Sequence, residues 1–263
     1  MSEQHQVSSH PPAETAGPDD QDTPREKCGC LARGATGRVG ATRFHAEHQD
    51  TAAPGWLRLL ELVEEAAADG REVFSPLEEL TARQRRQVVT LPPTVGRLTA
   101  VKHLKLYGSN LVRLPPEIGA MTSLEEFTPY TSHRLHWFPY ELTRCTALRR
   151  STVSTRALYG NEKYRPPFPA LTAGGAGLGL DGLDPGVRGT TAVRGCSVCG
   201  RSVDGAGLRQ VWISLRVATD VLPLLVNACS ATCVDALPAP AEGYVPVPHT
   251  GGPGLVQPQS DWD

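Results

Sequence analysis

The chain has no long apolar run. Nowhere do its 263 residues approach the roughly 20 consecutive apolar positions of a membrane span, and no membrane association is expected. The opening Met1-Ser2-Glu3-Gln4-His5 is polar and leads into no apolar segment, so it does not read as a secretory signal. The expectation is a cytoplasmic protein with mostly reduced cysteines. Recognisable catalytic motifs are missing too. His133, His136 and Glu141 lie close in sequence, on what reads as the loop after a strand, and His249-Thr250-Gly251-Gly252 stands near the end. No nucleophile–base set or paired-carboxylate spacing accompanies them, so the expected function is non-enzymatic. Gly34-Ala35-Thr36-Gly37-Arg38-Val39-Gly40 follows no strand pattern and opens no apolar helix, which excludes a phosphate loop.

Glycine (26 residues) and proline (23) are plentiful and concentrate at the two ends and near position 180, where disorder is expected. The net charge of −2 hides a division. Residues 1–80 carry 7 basic and 15 acidic side chains, residues 81–165 carry 14 and 5, and residues 166–263 carry 5 and 8. The middle block is therefore basic. It can steer an anionic partner, or it is a solvated face balanced by acidic flanks.

That basic block is repetitive. Leu91-Pro92-Pro93-Thr94-Val95-Gly96 recurs as Leu114-Pro115-Pro116-Glu117-Ile118-Gly119 and again as Phe138-Pro139-Tyr140-Glu141-Leu142, at steps of 23 and 24 residues. Leu98 maps to Met121 and Cys145, Val101 to Leu124 and Leu148, and Leu104 to Phe127. A period of this size with apolar residues at fixed offsets predicts a stacked solenoid, because one unit cannot bury its own apolar side. A short strand around Leu104-Lys105-Leu106 would send both leucines inward. Ahead of it, Trp56, Leu59, Leu60 and Val63 fall on one stripe of a helix over 56–68 that begins after Pro54-Gly55 and ends at Asp69-Gly70. Its natural role is to cap the first unit.

Leu111-Val112-Arg113-Leu114-Pro115-Pro116-Glu117-Ile118-Gly119, followed by Met121 and Leu124, resembles the 23-residue repeat of the Ras-group or plant-intracellular leucine-rich-repeat proteins, over roughly residues 88–169. Two positions depart from that pattern. Ser109 and its counterpart Ser132 stand where the family places a buried ladder asparagine. Pro129 replaces an inward strand residue, so the strand there should be irregular. The third unit decays after Tyr159.

The last third holds a second pattern. Cys196-Ser197-Val198-Cys199 is followed 29 residues later by Cys229-Ser230-Ala231-Thr232-Cys233. Two close thiol pairs suit structural, tetrahedral Zn2+ held by Cys196, Cys199, Cys229 and Cys233. A redox dithiol and unligated core cysteines are the alternatives. No thioredoxin-like strand precedes Cys196, and four cysteine ligands leave no open position for catalysis. Gly200 relaxes the turn, Val211–Val217 alternates as a strand, and Cys229 and Cys233 open a short helix through Ala236. Arg194 and Arg201 either offset the thiolate charge or are solvated. This order resembles a treble-clef zinc finger of small bacterial zinc proteins. Cys28 and Cys30 sit one residue apart, a spacing that can join a metal site, but nothing nearby in sequence completes one.

The expected fold is α/β: a short leucine-rich-repeat solenoid with an N-terminal capping helix, a small zinc-binding treble-clef-like module, and disordered termini. Residues 1–53 are expected as a disordered tail, 54–90 as the capping-helix region, 91–170 as the repeats, 171–192 as a glycine-rich linker, 193–240 as a separate cysteine module, and 241–263 as a tail. The strand register sends His103, Lys105, Tyr107, Glu126, Thr128, Tyr130, Arg150, Thr152 and Ser154 to the concave face, the binding surface of solenoids. Tyr107, Tyr130 and Arg150 are the candidate anchors. Trp137 is either a rim anchor or packed between units. The expected partner is a protein, of acidic character by the charge of the block. The alternative is a nucleic-acid-associated zinc-finger protein.

Overall fold

The recurring Leu-Pro-Pro block folds into a 3-10 turn each time it appears. Pro93–Arg97, Pro116–Ala120 and Tyr140–Arg144 are those turns in the computed structural model, which describes residues 30, 42–171, 195–203 and 208–260. Proline at the start of the first two pre-sets φ where a helix needs no donor. After each turn the chain crosses to a short strand: β2 (His103–Lys105), β3 (Glu126–Thr128) and β5 (Arg150–Ser151). These strands run parallel, with His103 opposite Glu126 and Glu126 opposite Arg150. The steps of 23 and 24 residues in sequence are thus one strand spacing in the sheet. An earlier strand that carries no repeat motif, β1 (Val73–Phe74), adds to the edge of β2. The chain therefore coils, with strands on one side and 3-10 turns on the other. Leu91, Val95, Leu98, Val101, Leu104, Leu106, Leu114, Ile118, Met121, Leu124 and Phe127 fill the interior between them.

Two small devices set the spacing between successive turns of the coil. A Cβ on Gly119 would lie 2.5 Å from the Glu141 carbonyl oxygen, and one on Gly96 would lie 3.0 Å from that of Glu117. The motif's glycine is what lets one 3-10 turn lie on the next. The third turn carries Thr143 there, and strand β7 (Asp220–Ala228) packs against that turn. The second device is a serine ladder: Ser109 Oγ and Ser132 Oγ are 2.7 Å apart, Ser132 Oγ donates to Leu106 O (3.0 Å), and Thr131 N–H donates to Ser154 Oγ (2.8 Å). Strand β3 stops at Thr128, before Pro129, but β2 stops at the matching Lys105, and Gly108 N–H still donates to Tyr130 O (2.8 Å) beyond the proline, so the irregularity expected there is not seen.

Helix α1 (Pro54–Asp69) covers the first turn with Trp56, Leu59, Leu62, Val63 and Ala66, and Leu60 lies at the margin of the stripe. Helix α2 (Ala82–Gln87) begins at a capping box between Thr81 and Gln84. Among the described residues no helix is long and apolar enough to cross a membrane.

Three expected boundaries are corrected. The tail expected over 1–53 is structured from residue 42, while 1–29 and 31–41 lie outside the described residues. Gln49 is buried, donating to Gln87 O and accepting from Val89 N–H, both at 2.9 Å, and Arg113 donates to Glu47 O at 2.8 Å. Isolated polar residues satisfied by side-chain hydrogen bonds hold this arm, and they leave no period in the sequence. The cysteine module is not separate. Strands β6 (Arg209–Val217) and β7 (Asp220–Ala228) form an antiparallel hairpin, and β7 pairs in parallel with β4 (Phe138–Pro139) of the last turn of the coil. One hairpin face, with Val211, Ile213, Leu215, Leu224 and Val226, joins the core of the coil. The other, with Trp212 and Leu225, meets Trp137, Tyr159, Phe168 and Phe44 in an aromatic cluster. Trp137 is thereby packed inside rather than standing at a rim. The expected linker falls, after Leu171, outside the described residues. The expected tail over 241–263 instead meets β6 and then follows residues 163–171 as far as the description reaches: Trp212 N–H donates to His249 O (2.7 Å), Leu171 N–H donates to Thr250 O (2.7 Å), and Val245 is buried.

Gly119→Ala is expected to destabilise the protein by about 1–3 kcal/mol, the usual cost of overpacking against backbone, while Gly254→Ala, with open space around its Cβ, should stay within about 0.5 kcal/mol. Urea unfolding of the two variants checks this.

Candidate metal centre and outward face

The hairpin brings the two cysteine pairs together. Cys196 and Cys199 lie on a tight turn in which Cys196 N–H donates to Arg201 O (2.8 Å) and Gly200 N–H donates to Cys196 O (2.9 Å). Gly200 takes φ 74°, a left-handed conformation that glycine adopts without strain. Ser197 fastens this turn to β7, its N–H donating to Asn227 O (2.7 Å) and its Oγ accepting from Asn227 N–H (2.9 Å). Cys229 follows β7 directly. Cys233 lies in α3 (Ala231–Asp235), where Ser230 Oγ caps the helix by accepting from Cys233 N–H (3.2 Å).

All four sulfurs fall within 4.8 Å of one another. Cys229 Sγ is 3.6 Å from both Cys199 Sγ and Cys233 Sγ, far beyond a disulfide bond. Two metal–sulfur bonds of about 2.3 Å at a tetrahedral angle would separate their sulfurs by about 3.8 Å, so the spacing fits a metal ion. The backbone also favours thiolate: the amides of Val198, Cys199 and Cys229 point at Cys196 Sγ at 3.4–3.5 Å. For Cys196 burial opposes ionisation and these amides outweigh it, so its pKa is lowered. Arg201 Nε donates to Cys199 Sγ (3.4 Å) and pulls that thiol down to about 6, whereas Cys229, flanked by Cys199 and Cys233, is pushed up to about 12. Four bare thiolates cannot share this volume, and a cation removes the conflict. Arg201 is therefore paired, and Arg194 lies outside the described residues.

Sequence reasoning missed the supports of this cluster. Arg144, on the last 3-10 turn of the coil, donates to Ser197 O (2.8 Å) and so holds the cysteine turn against the coil. Beside it Glu141 is buried, and burial raises its pKa. Neither residue has a sequence signal, because the contact spans 53 residues. Of the histidines considered for catalysis, His133 is exposed and His136 is buried. Cys145 packs inside the coil, where burial pushes its thiol up to about 11.

The outward strand residues line up as their register dictates. His103, Glu126 and Arg150 form one row: His103 Nδ1 is 3.6 Å and Arg150 Nη1 is 3.2 Å from the Glu126 carboxylate. Lys105 is paired with Thr128 across the strands, and His103 Nε2 lies 2.9 Å from Thr128 Oγ1. Tyr107 and Tyr130 are 59% and 46% exposed, with ring centroids 6.0 Å apart. Thr152 and Arg150 are also exposed. Part of the basic block is ion-paired elsewhere. Arg97 pairs with Glu64, Lys102 with Glu72, Arg134 with Glu47 and Arg149 with Glu125.

Compared with protein-family models, curated proteins and solved structures, the chain gives no match.

With no metal bound, the Arg201 side chain and backbone amide hold the Cys199 thiol below its ordinary range. Arg201→Ala removes the guanidinium contact, and the pH midpoint of Cys199 alkylation should move up by about one unit. Site-resolved mass spectrometry of iodoacetamide labelling reads the change.

Proposed function

We propose that this protein is a non-enzymatic binding module: a short leucine-rich-repeat solenoid of the Ras-group or plant-intracellular type that engages a protein partner through the outward face of its strands. The adjacent exposed pair Tyr107 and Tyr130 carries this reading. Two large aromatic rings presented side by side on the turns that follow β2 and β3, with Arg150 two strands from Lys105, have the composition of a binding hot spot. His103, Glu126, Thr128 and Thr152 complete the polar surround. Lys105 favours an acidic partner, while Arg150 is already paired with Glu126. The nucleic-acid alternative loses support from the four neutralised cations, because a phosphate-binding face needs several unpaired ones.

We read the Cys196, Cys199, Cys229, Cys233 cluster as a structural zinc site of treble-clef type. The sulfur spacing, the amides aimed at Cys196 and the all-thiolate donor set support zinc, and four protein ligands leave it no catalytic position. Its role is to fix the hairpin that closes the coil.

The test is capture of partners from a lysate by the intact protein and by a Tyr107→Ala, Tyr130→Ala, Arg150→Ala variant. The expected result is an acidic protein held by the first and released by the second, with affinity lowered at least about thirtyfold, as loss of a hot spot implies. An unchanged set of captured proteins would contradict the reading.

A further inference from the structure

The N-terminal arm brings a second set of metal-ligand atoms together. Cys30 Sγ and one ring nitrogen each from His45 and His136 all lie within 4.8 Å of one another, although 106 residues separate the first from the last. His45 and His136 are buried, and their rings lie near-parallel at 14°.

The hydrogen bonds fix which nitrogens face inward. His136 Nδ1 donates to the Ala157 carbonyl (2.6 Å), and His45 Nδ1 donates to the Glu47 carboxylate (3.0 Å). With each Nδ1–H committed outward, each neutral ring presents a lone pair at Nε2. Those two Nε2 atoms face each other at 3.2 Å. Two facing lone pairs repel, so the arrangement calls for a cation between them. Two metal–nitrogen bonds of about 2.05 Å at a tetrahedral angle would place the nitrogens about 3.3 Å apart. A carboxylate and a carbonyl holding the outer nitrogens is the arrangement that orients metal-ligating histidines.

We propose that Cys30, His45 and His136 form a second metal site that binds zinc, or a divalent cation of similar softness, and pins the N-terminal arm to the coil. One sulfur and two imidazoles select such an ion over magnesium or calcium. The arm is already aimed for this. Arg113 donates to the carbonyls of His45 and Glu47, Arg134 pairs with the Glu47 carboxylate, and Tyr159 OH donates to Arg43 O (3.3 Å). Ligation would join residue 30 and residue 45 of the arm to residue 136 on the coil, closing a loop of about one hundred residues, the kind of long-range clip that removes most unfolded-chain entropy. This site is independent of the four-cysteine cluster and of the outward face.

The experiment uses the full chain refolded with zinc and then desalted. The intact protein is expected to hold about two equivalents. Cys30→Ser and His45→Gln should each halve that content while far-UV circular dichroism stays native. A Cys199→Ser, Cys229→Ser variant loaded with cobalt(II) should keep a sulfur-to-cobalt charge-transfer band that vanishes when Cys30→Ser is added. Zinc content equal in the intact protein and in both single variants would overturn the proposal. So would loss of the whole thiolate band from the folded Cys199→Ser, Cys229→Ser protein, a result that leaves the four-cysteine site standing. The variants at two separated positions keep the test decisive if one of them fails to fold.

Discussion

The pairing of β7 with Phe138–Pro139 is the contact on which the rest of the structure depends. A coil of so few turns has an open end at a short distance from every part of its core. Leu142 and Cys145, at the last 3-10 turn, are buried only because something lies over them. The β6–β7 hairpin supplies that cover, and it is apolar on both faces, so it belongs to two cores at once. Its tip also closes the sheet: Thr219 Oγ donates to Ser151 O (2.8 Å) and accepts from Ser151 N–H (3.1 Å), which satisfies the edge strand β5. The far end of the same hairpin carries the cysteine cluster. Whatever stiffens that cluster stiffens the hairpin, and through Arg144 and β4 it stiffens the coil.

This arrangement changes what a metal held by the cysteine cluster would do. A zinc site in a module on a linker would stabilise that module alone. Here Cys196 and Cys233 belong to the same contiguous core as Leu104 and Phe127. The energetic unit is the whole assembly, and the outward residues Tyr107, Tyr130 and Arg150 stand on a coil that the hairpin closes. Binding surfaces on rigid elements lose less conformational entropy on association.

The legible parts of the sequence were those with a period or a fixed spacing. Gly96 and Gly119 mark the close approach of successive turns, Ser109 and Ser132 fall one period apart and meet, and the two cysteine pairs converge because both flank one hairpin. Periodicity reports a structure that repeats. Phe74 fills the first turn of the sheet with no motif around it, so strand β1 was not visible. Strand β7 carries Pro223, opposite Ser214 of β6, and a proline inside a segment masks a strand in the sequence. His45, Gln49, Val245 and His249 lie in polar, proline- and glycine-rich stretches that resemble disordered tails. His45, Gln49 and His249 are held by long-range contacts, which composition cannot register.

Hydrogen exchange of the intact protein with and without a metal chelator tests the central claim, that coil, hairpin and cysteine cluster form one closed unit. The amides of Leu106, Gly108 and Thr152, bonded between turns of the coil, lie far along the chain from the cysteines. If the unit is closed by the metal, chelation lowers their protection together with that of β6 and β7. Protection that persists in the coil while the hairpin amides exchange freely would show two independent parts and contradict the claim.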